Sequence, residues 1–276
     1  MTFISDADME AVMADMRTAA LKEVLPRFLR LESDQVRAKT SVDDLVTDAD
    51  LRAESMLSEA LARRFPGAVV VGEEAVSADP DLLGRVGTAP LSIVIDPVDG
   101  TWNFANGLPV FGMMVALIAG DETIAGLIHY PLTGDFILAR RGGGAWHVAP
   151  DGERRRLKVA PPKPIAEMSG IVCLPQLPPE EQAAIAPNLP SFLRVTNYRC
   201  SAYEYRLLAQ GSIDFVMNAS LQPWDHAAGH LVHLEAGGYA AIPPGIGYRP
   251  SMGQGRLLLA SNEAVWHDVR RALGIL

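Results

Sequence analysis

Acidic residues gather in four short segments of this 276-residue chain, each at the predicted end of an element. Asp43, Asp44, Asp48 and Asp50 crowd a helix start, and Glu73 and Glu74 follow a strand. Asp96 and Asp99 follow a second strand within Asp96-Pro97-Val98-Asp99-Gly100-Thr101, and Asp225 opens a helix after Pro223-Trp224. In the third segment a hydrophobic run over 91–95 delivers Asp96 to the C-terminal edge of a strand, where open α/β sheets place ligands. Pro97 is expected to stop the ladder there, and Gly100 permits the tight turn that returns Asp99 to the same side. Two carboxylates and the carbonyl of Val98 then face one point. All-oxygen ligands suit Mg²⁺, Mn²⁺ or Ca²⁺ rather than a soft metal. Gly100 and Thr101 begin the next helical stretch, so their backbone N–H groups can hold an anion.

Each segment alone has an ordinary explanation. Asp-Pro and Asp-Gly form turns, Asp caps helices, and a Glu pair after a strand is commonly solvated. The set together does not. Acids gathered at the ends of buried-looking elements are costly without a cation to neutralise them.

The elements that must position these acids follow from periodicity. Met9, Val12, Met13, Met16, Ala20, Val24 and Phe28 recur at helical spacing and predict an amphipathic helix ending near Leu29. Residues 34–46 are polar and read as a loop or short extended piece. A second helix starts at 47–50, with Leu51, Met56, Leu57, Ala60 and Leu61 as its apolar side, and stops at Phe65-Pro66-Gly67. Short β-branched runs at 68–71 and 91–95 predict buried strands. The segments 110–119, 123–129, 136–140 and 145–148 continue as an antiparallel meander. A stretch rich in Pro, Lys and Arg over 149–164 divides the chain into two halves. Residues 1–148 carry most of the candidate ligands, and 149–276 carry Asp225. In the second half, strands at 170–174, 193–198, 213–217, 239–242 and 256–260 alternate with helices at 179–185, 202–209, 225–235 and 262–273. The fold class is α/β (α+β), with sheets covered by helices.

Composition excludes several classes. Hydrophobic residues are 49% and charged residues 21%, so the chain can bury a sizeable core and is not disordered. The net charge of −9 argues against a general nucleic-acid surface, which needs clustered Lys and Arg. Two cysteines make no disulfide framework and fit a reducing compartment. The acidic start MTFISDADME lacks the basic region of a signal peptide, and the longest apolar run, 110–120, is too short for a membrane span. The expected setting is cytoplasmic, with no nucleic-acid or membrane partner.

Gly72-Glu73-Glu74, Asp96–Thr101 (DPVDGT) and Trp224–Gly229 (WDHAAG), with DLVTDAD at 44–50 and EAGG at 235–238, resemble the inositol monophosphatase family. These are magnesium-dependent, lithium-sensitive phosphatases related to fructose-1,6-bisphosphatase. The motifs keep the family's order over most of the chain. The resemblance implies a layered αβαβα sugar-phosphatase-type fold and a homodimer. It implies that Glu73, Asp96 and the Val98 carbonyl bind a first Mg²⁺, and that Asp96, Asp99 and Asp225 bind a second. Glu73 would face a weaker third ion, and Mn²⁺ is a possible substitute. Asp50, Glu73 and Thr101 take the catalytic roles, Asp50 and Thr101 as the pair that activates water. Gly100 and Thr101 bind phosphate, Lys39 sits on a flap, and Ser201 and Asn218 lie on the substrate side. Four carboxylate charges would be balanced by two Mg²⁺, leaving a site able to accept a phosphate dianion. Cys200 stands where the family more often has Gly, which places the departure on the substrate-side wall.

Other patterns compete less well. His226, His230 and His233 share a helical stripe that could hold zinc, but a polar helix face accounts for it. Gly142–Gly144 lacks the Lys-Ser/Thr of a nucleotide loop and reads as a turn, and Arg154–Arg156 reads as a solvated loop. The expectation is a phosphomonoesterase for a small phosphorylated polyol or sugar, with inositol 1-phosphate first. Fructose-1,6-bisphosphate, histidinol phosphate and 3′-phosphoadenosine nucleotides are alternatives. A metal-loaded regulatory binding protein is the alternative of another class.

Overall fold

The computed structural model describes residues 4–275. Helix α1 (Asp6–Ala19) starts on a capping box in which Ser5 Oγ accepts from Asp8 N and Asp8 accepts from Ser5 N. The period expected to reach Leu29 ends earlier: the helix widens into a π turn over Ala20–Val24. Ala20 and Val24 stay buried, so the apolar stripe outlasts the α geometry. The polar stretch expected as a loop or short extended piece forms an antiparallel hairpin, β1 (Val36–Ala38) and β2 (Leu45–Thr47). Among the described residues it pairs with neither larger sheet.

Helix α2 (Asp48–Arg64) follows directly. Its buried stripe is Ala49, Asp50, Ala53, Glu54, Leu57 and Leu61, whereas Leu51, expected on the apolar side, is exposed. Two acids occupy the inward face at the N-terminal end, and leucines occupy it further along. Then come β3 (Val69–Gly72), α3 (Glu73–Ala78), β4 (Ser92–Asp99) and α4 (Thr101–Ala105). The strands β5 (Gly112–Ala119), β6 (Glu122–Tyr130), β7 (Asp135–Arg140), β8 (Ala145–Val148) and β9 (Arg154–Arg156) complete a seven-stranded sheet in chain order. β3 runs parallel to β4, and the rest form the expected meander. The basic run read as a loop is the exposed edge strand β9, where charged side chains discourage further pairing.

The second sheet holds β10 (Ser169–Val172), β11 (Arg194–Thr196), β12 (Phe215–Ser220), β13 (Tyr239–Ala241) and β14 (Gln254–Ala260) in the order β11-β10-β12-β14-β13. Helices α5 (Pro179–Ile185), α6 (Ser201–Ala209), α7 (Pro223–Glu235) and α8 (Glu263–Leu273) lie between and beyond the sheets.

Strand alternation sorts the core into layers. Met113, Val115 and Leu117 of β5 pack with α1 and α2, while Met114, Ala116 and Ile118 join the cluster containing α6 and α7. That cluster also takes Val216, Leu257 and Leu259 from the second sheet. Phe215, Met217 and Leu258 face the other way, onto α8. The result is the αβαβα arrangement, with α6 and α7 between two sheets.

Candidate active site

One carboxylate oxygen from each of Asp96, Asp99 and Asp225 lies within 4.8 Å of the others. Asp96 and Asp99 are delivered by β4, but not in the expected way. The ladder with β5 passes Pro97: Asp96 pairs with Met114 and Asp99 with Gly112, leaving one extra residue on β4. β3 has already ended at Gly72 opposite Ile95, so the N–H that Pro97 lacks has no β3 carbonyl to serve. Gly100 follows with φ +87°, and a Cβ there would sit 2.8 Å from Val110 O, so only glycine fits this turn. Asp225 stands in the first turn of α7, where the helix dipole offsets part of its charge.

Thr101 connects this trio to α2. Its Oγ1 lies 3.0 Å from Val98 O and 3.1 Å from Asp50 Oδ1. Asp50 is fully buried and is held from behind by Thr47, whose N and Oγ1 donate to Oδ2 at 2.9 and 2.5 Å. The β1–β2 hairpin brings Lys39 across the sequence to Glu73 and Glu74, with Nζ at 2.6 and 2.8 Å. Glu54, a turn beyond Asp50 on α2, anchors the start of α3 by accepting from Glu74 N and Ala75 N, both at 2.8 Å.

A cavity of about 1040 Å³ opens over these groups. It touches every residue expected from the sequence except Asp50, which lies behind Thr101. Lys39, Glu73, Val98, Gly100, Ser201 and Asn218 all reach its wall.

Crowded burial shapes the titration of the acids. Burial, then the charges of Glu73, Asp99 and Asp225, hold the Asp96 pKa well above the usual carboxylate range. Burial, then Asp99 and Glu73, does the same to Asp225. Burial pushes Asp99 up to about 6, against the pull of hydrogen bonds from Cys200, Ala202 and Ser201. Burial raises Asp50 to about 7, with Thr47 opposing and Glu73 adding. Burial and Glu73 raise Glu74 to about 7. Burial works against the charge of Lys39, yet Glu73 and Glu74 overcome it and raise its pKa. The donor set is carboxylates and a carbonyl, which fits hard divalent cations. The nearby Cys200 thiol is pushed up by burial and by Asp99, so it acts as a proton donor and not as a thiolate ligand.

Several functional-looking residues escaped the sequence. Glu54 is one, legible only as the i+4 neighbour of Asp50. Cys200 is placed differently from expectation: its Sγ donates to Asp99 Oδ2 at 2.9 Å, so the departure acts on a candidate metal ligand as well as on the wall. Cys173 also lines the cavity, and no local pattern announces it, whereas Glu204, an alternative to Asn218 for a substrate-side carboxylate, reaches the same wall. The histidine stripe is not a solvated polar face. His226 bonds Ser220 O and Tyr205 Oη, and His233 bonds Tyr239 O and Ala260 O. Burial lowers both to about 4, so they are neutral packing residues. Gly142 and Gly144 donate their N–H groups to Glu235 at 2.7 Å each, which makes that turn a structural clasp.

The model of the inositol monophosphatase family matches residues 6–271. A histidinol-phosphatase of Streptomyces coelicolor is 30% identical over 247 residues, covering 86% of each chain. A fructose-1,6-bisphosphatase/inositol-1-monophosphatase of Thermotoga maritima is 28% identical over 213 residues, 74% of each. Among solved structures, an extragenic suppressor protein of Bartonella henselae superposes with a TM-score of 0.81 at 24% identity, over 98% of this chain and 99% of that one. The IMPase of Thermotoga maritima gives 0.80 at 22%, over 97% of both.

Proposed function

Because the chain belongs to the inositol monophosphatase family and is a phosphoric monoester hydrolase, we propose that it is a Mg²⁺-dependent enzyme for a small polyol or sugar monophosphate. The observation that carries this reading is the Asp96, Asp99 and Asp225 trio beside the Thr101–Asp50 pair. Glu73, Asp96, Val98 O, Asp99 and Asp225 would hold two or three cations, with Mn²⁺ as a substitute. Bound there, the cations would lower the pKa of a water and offset charge on the leaving oxygen.

The chain's own residues do the rest. Thr101 Oγ1, anchored between Asp50 and Val98, accepts a hydrogen bond from the attacking water and fixes its line of approach. As that water loses a proton to Oγ1, the Thr101 proton passes to Asp50 Oδ1. Backbone N–H groups of Gly100 and Thr101 hold the phosphate oxygens, and Lys39 adds positive charge from the hairpin. Ser201 and Asn218, on the cavity wall, would face the leaving group.

Inositol 1-phosphate heads the substrates to test. Relatives named fructose-1,6-bisphosphatase and histidinol-phosphatase keep those two esters beside it, with 3′-phosphoadenosine nucleotides as a further alternative. A homodimer in a reducing, cytoplasmic setting completes the reading, supported by the family resemblance and by two free, buried thiols. No helix among the described residues is long and apolar enough to cross a membrane. The halves 1–148 and 149–276 remain our division of labour, although β9 of the second pairs with β8 of the first. The test is phosphate release from a panel of these esters with Mg²⁺ and with EDTA. Mg²⁺-dependent release is expected, and its absence for every ester overturns the reading.

A further inference from the structure

Asp99 ends β4 and Asp225 stands in the first turn of α7, yet the settings of both are fastened to helix α6. The start of α6 grips Asp99, with Ser201 N–H and Ala202 N–H donating to its carboxylate at 3.1 and 2.6 Å. About one turn further along, Tyr205 reaches from the same helix to α7. Its Oη lies 3.1 Å from Nδ1 of His226, the residue after Asp225. His226 Nε2 lies 2.6 Å from Ser220 O, at the end of β12. A carbonyl only accepts, so Nε2 donates to it, and Nδ1 accepts the tyrosine O–H. Both side chains are buried, so His226 does more than fill the core.

Two features show what this chain of hydrogen bonds replaces. Helix α7 opens with no side-chain cap from Gln222, and Pro223 brings no N–H to its first turn. The bond from His226 back to Ser220 closes the segment 220–226 in the way a cap would, with Asp225 inside the closed loop. Gly229, further along α7, makes room for the other partner. A Cβ there would sit 2.0 Å from Tyr205 Cδ2, so only a residue without a side chain lets the ring lie against α7 and reach the imidazole.

We infer that Tyr205 and His226 are a positioning pair that sets Asp225 against Asp99 and so tunes the trio to a small divalent cation such as Mg²⁺. The inference rests on the metal-dependent reading above and deepens it. Mg²⁺ demands near-octahedral oxygens at about 2.0–2.1 Å, whereas Ca²⁺ accepts looser arrangements at about 2.3–2.6 Å. Two acids held at a fixed separation from one helix favour the smaller ion. Loosening one of them costs Mg²⁺ more than Ca²⁺.

The experiment is calorimetric titration of the ester-free protein with Mg²⁺ and, separately, with Ca²⁺. Asp225→Asn defines which part of the binding belongs to the trio. His226→Leu should weaken that Mg²⁺ binding about fivefold, the worth of one hydrogen bond, and Ca²⁺ binding by less than about twofold. His226→Gln, whose amide N–H stands near the place of the Nε2 donor, should recover most of the loss. Tyr205→Phe removes a single oxygen, should act in the same direction, and carries the test if His226→Leu does not fold. A loss that is equal for the two cations, or no loss in either variant, overturns this inference alone, because a general loosening of the fold does not discriminate by ion size. No Mg²⁺ binding in the wild type that Asp225→Asn removes overturns the metal-dependent reading and this inference with it.

Discussion

Cys200 donates a thiol hydrogen bond to Asp99: Sγ stands 2.9 Å from Oδ2, and the same oxygen accepts Ala202 N–H at 2.6 Å. Ser201 N–H donates to the other oxygen at 3.1 Å. The start of α6 thus supplies three donors that favour the charged form of Asp99 against its burial. Removing one donor by Cys200→Ala should raise the Mg²⁺ concentration for half-maximal activity by about fivefold, the worth of one hydrogen bond. Cys200→Ser should restore most of it. Equal half-activation in all three proteins would show that the thiol does not tune Asp99.

Asp96→Asn should cost roughly a thousandfold in kcat while leaving the circular dichroism spectrum intact. Asp96 is the one carboxylate assigned to both cations, and metal-centred charge stabilisation is worth several kcal/mol. Retention of activity within about tenfold of wild type would remove the bridging role.

Metal binding should release protons. Asp99 titrates near 6, Asp50 and Glu74 near 7, and Asp96 and Asp225 well above the ordinary range, all chiefly through burial. An acid whose folded pKa is raised binds more protons folded than unfolded. Stability of the metal-free protein is therefore greatest below about pH 4 for this contribution, and falls as pH rises towards 7. Mg²⁺ must displace those protons, so its stabilising effect grows over the same range. Melting curves with Mg²⁺ and with EDTA from pH 5 to 8 should diverge with rising pH, and convergence would contradict this.

Gly72→Ala should destabilise the fold by about 2 kcal/mol, the combined scale of overpacking and a disturbed buried hydrogen bond. A Cβ at Gly72 would lie 2.1 Å from the Glu54 carboxyl carbon, which holds the start of α3 and hence Glu73. Urea denaturation reads the loss, and the Mg²⁺ requirement should rise with it. An unchanged midpoint would mean that Glu54 shifts at little cost.

Li⁺ should inhibit relative to K⁺ at equal ionic strength. The all-oxygen set of Asp96, Asp99 and Asp225 can accept a small monovalent cation in place of Mg²⁺. Equal rates in LiCl and KCl would count against that second cation position.

The carboxylates of the site were readable because each sits in a short run with its own turn formers. Asp96-Pro97-Val98-Asp99-Gly100 carries strand end, bulge and left-handed turn in five residues. What the sequence concealed was long-range. Nothing near Lys39 announces Glu73, 34 positions away, and the polar stretch around Lys39 hides a hairpin because its strands are three residues each. Glu54 is a single acid on a helix face, and a lone acid carries no periodic signal until the helix is packed. The histidine stripe failed for the opposite reason: a regular polar spacing suggested solvent, while carbonyls and a tyrosine hydroxyl satisfied it inside.

The hairpin bearing Lys39 has one more consequence. It belongs to neither larger sheet, and its ammonium pairs with both glutamates at the start of α3 and offsets one unit of their charge. The protein therefore carries its own counter-ion on a short tether. On the proposed reading, loading a divalent cation at Glu73 would be an exchange of one cation for another, not the filling of a bare anionic well. The resting acid pocket is spared part of its self-repulsion, and the arriving ion supplies only the difference between a mobile divalent charge and a leashed monovalent one.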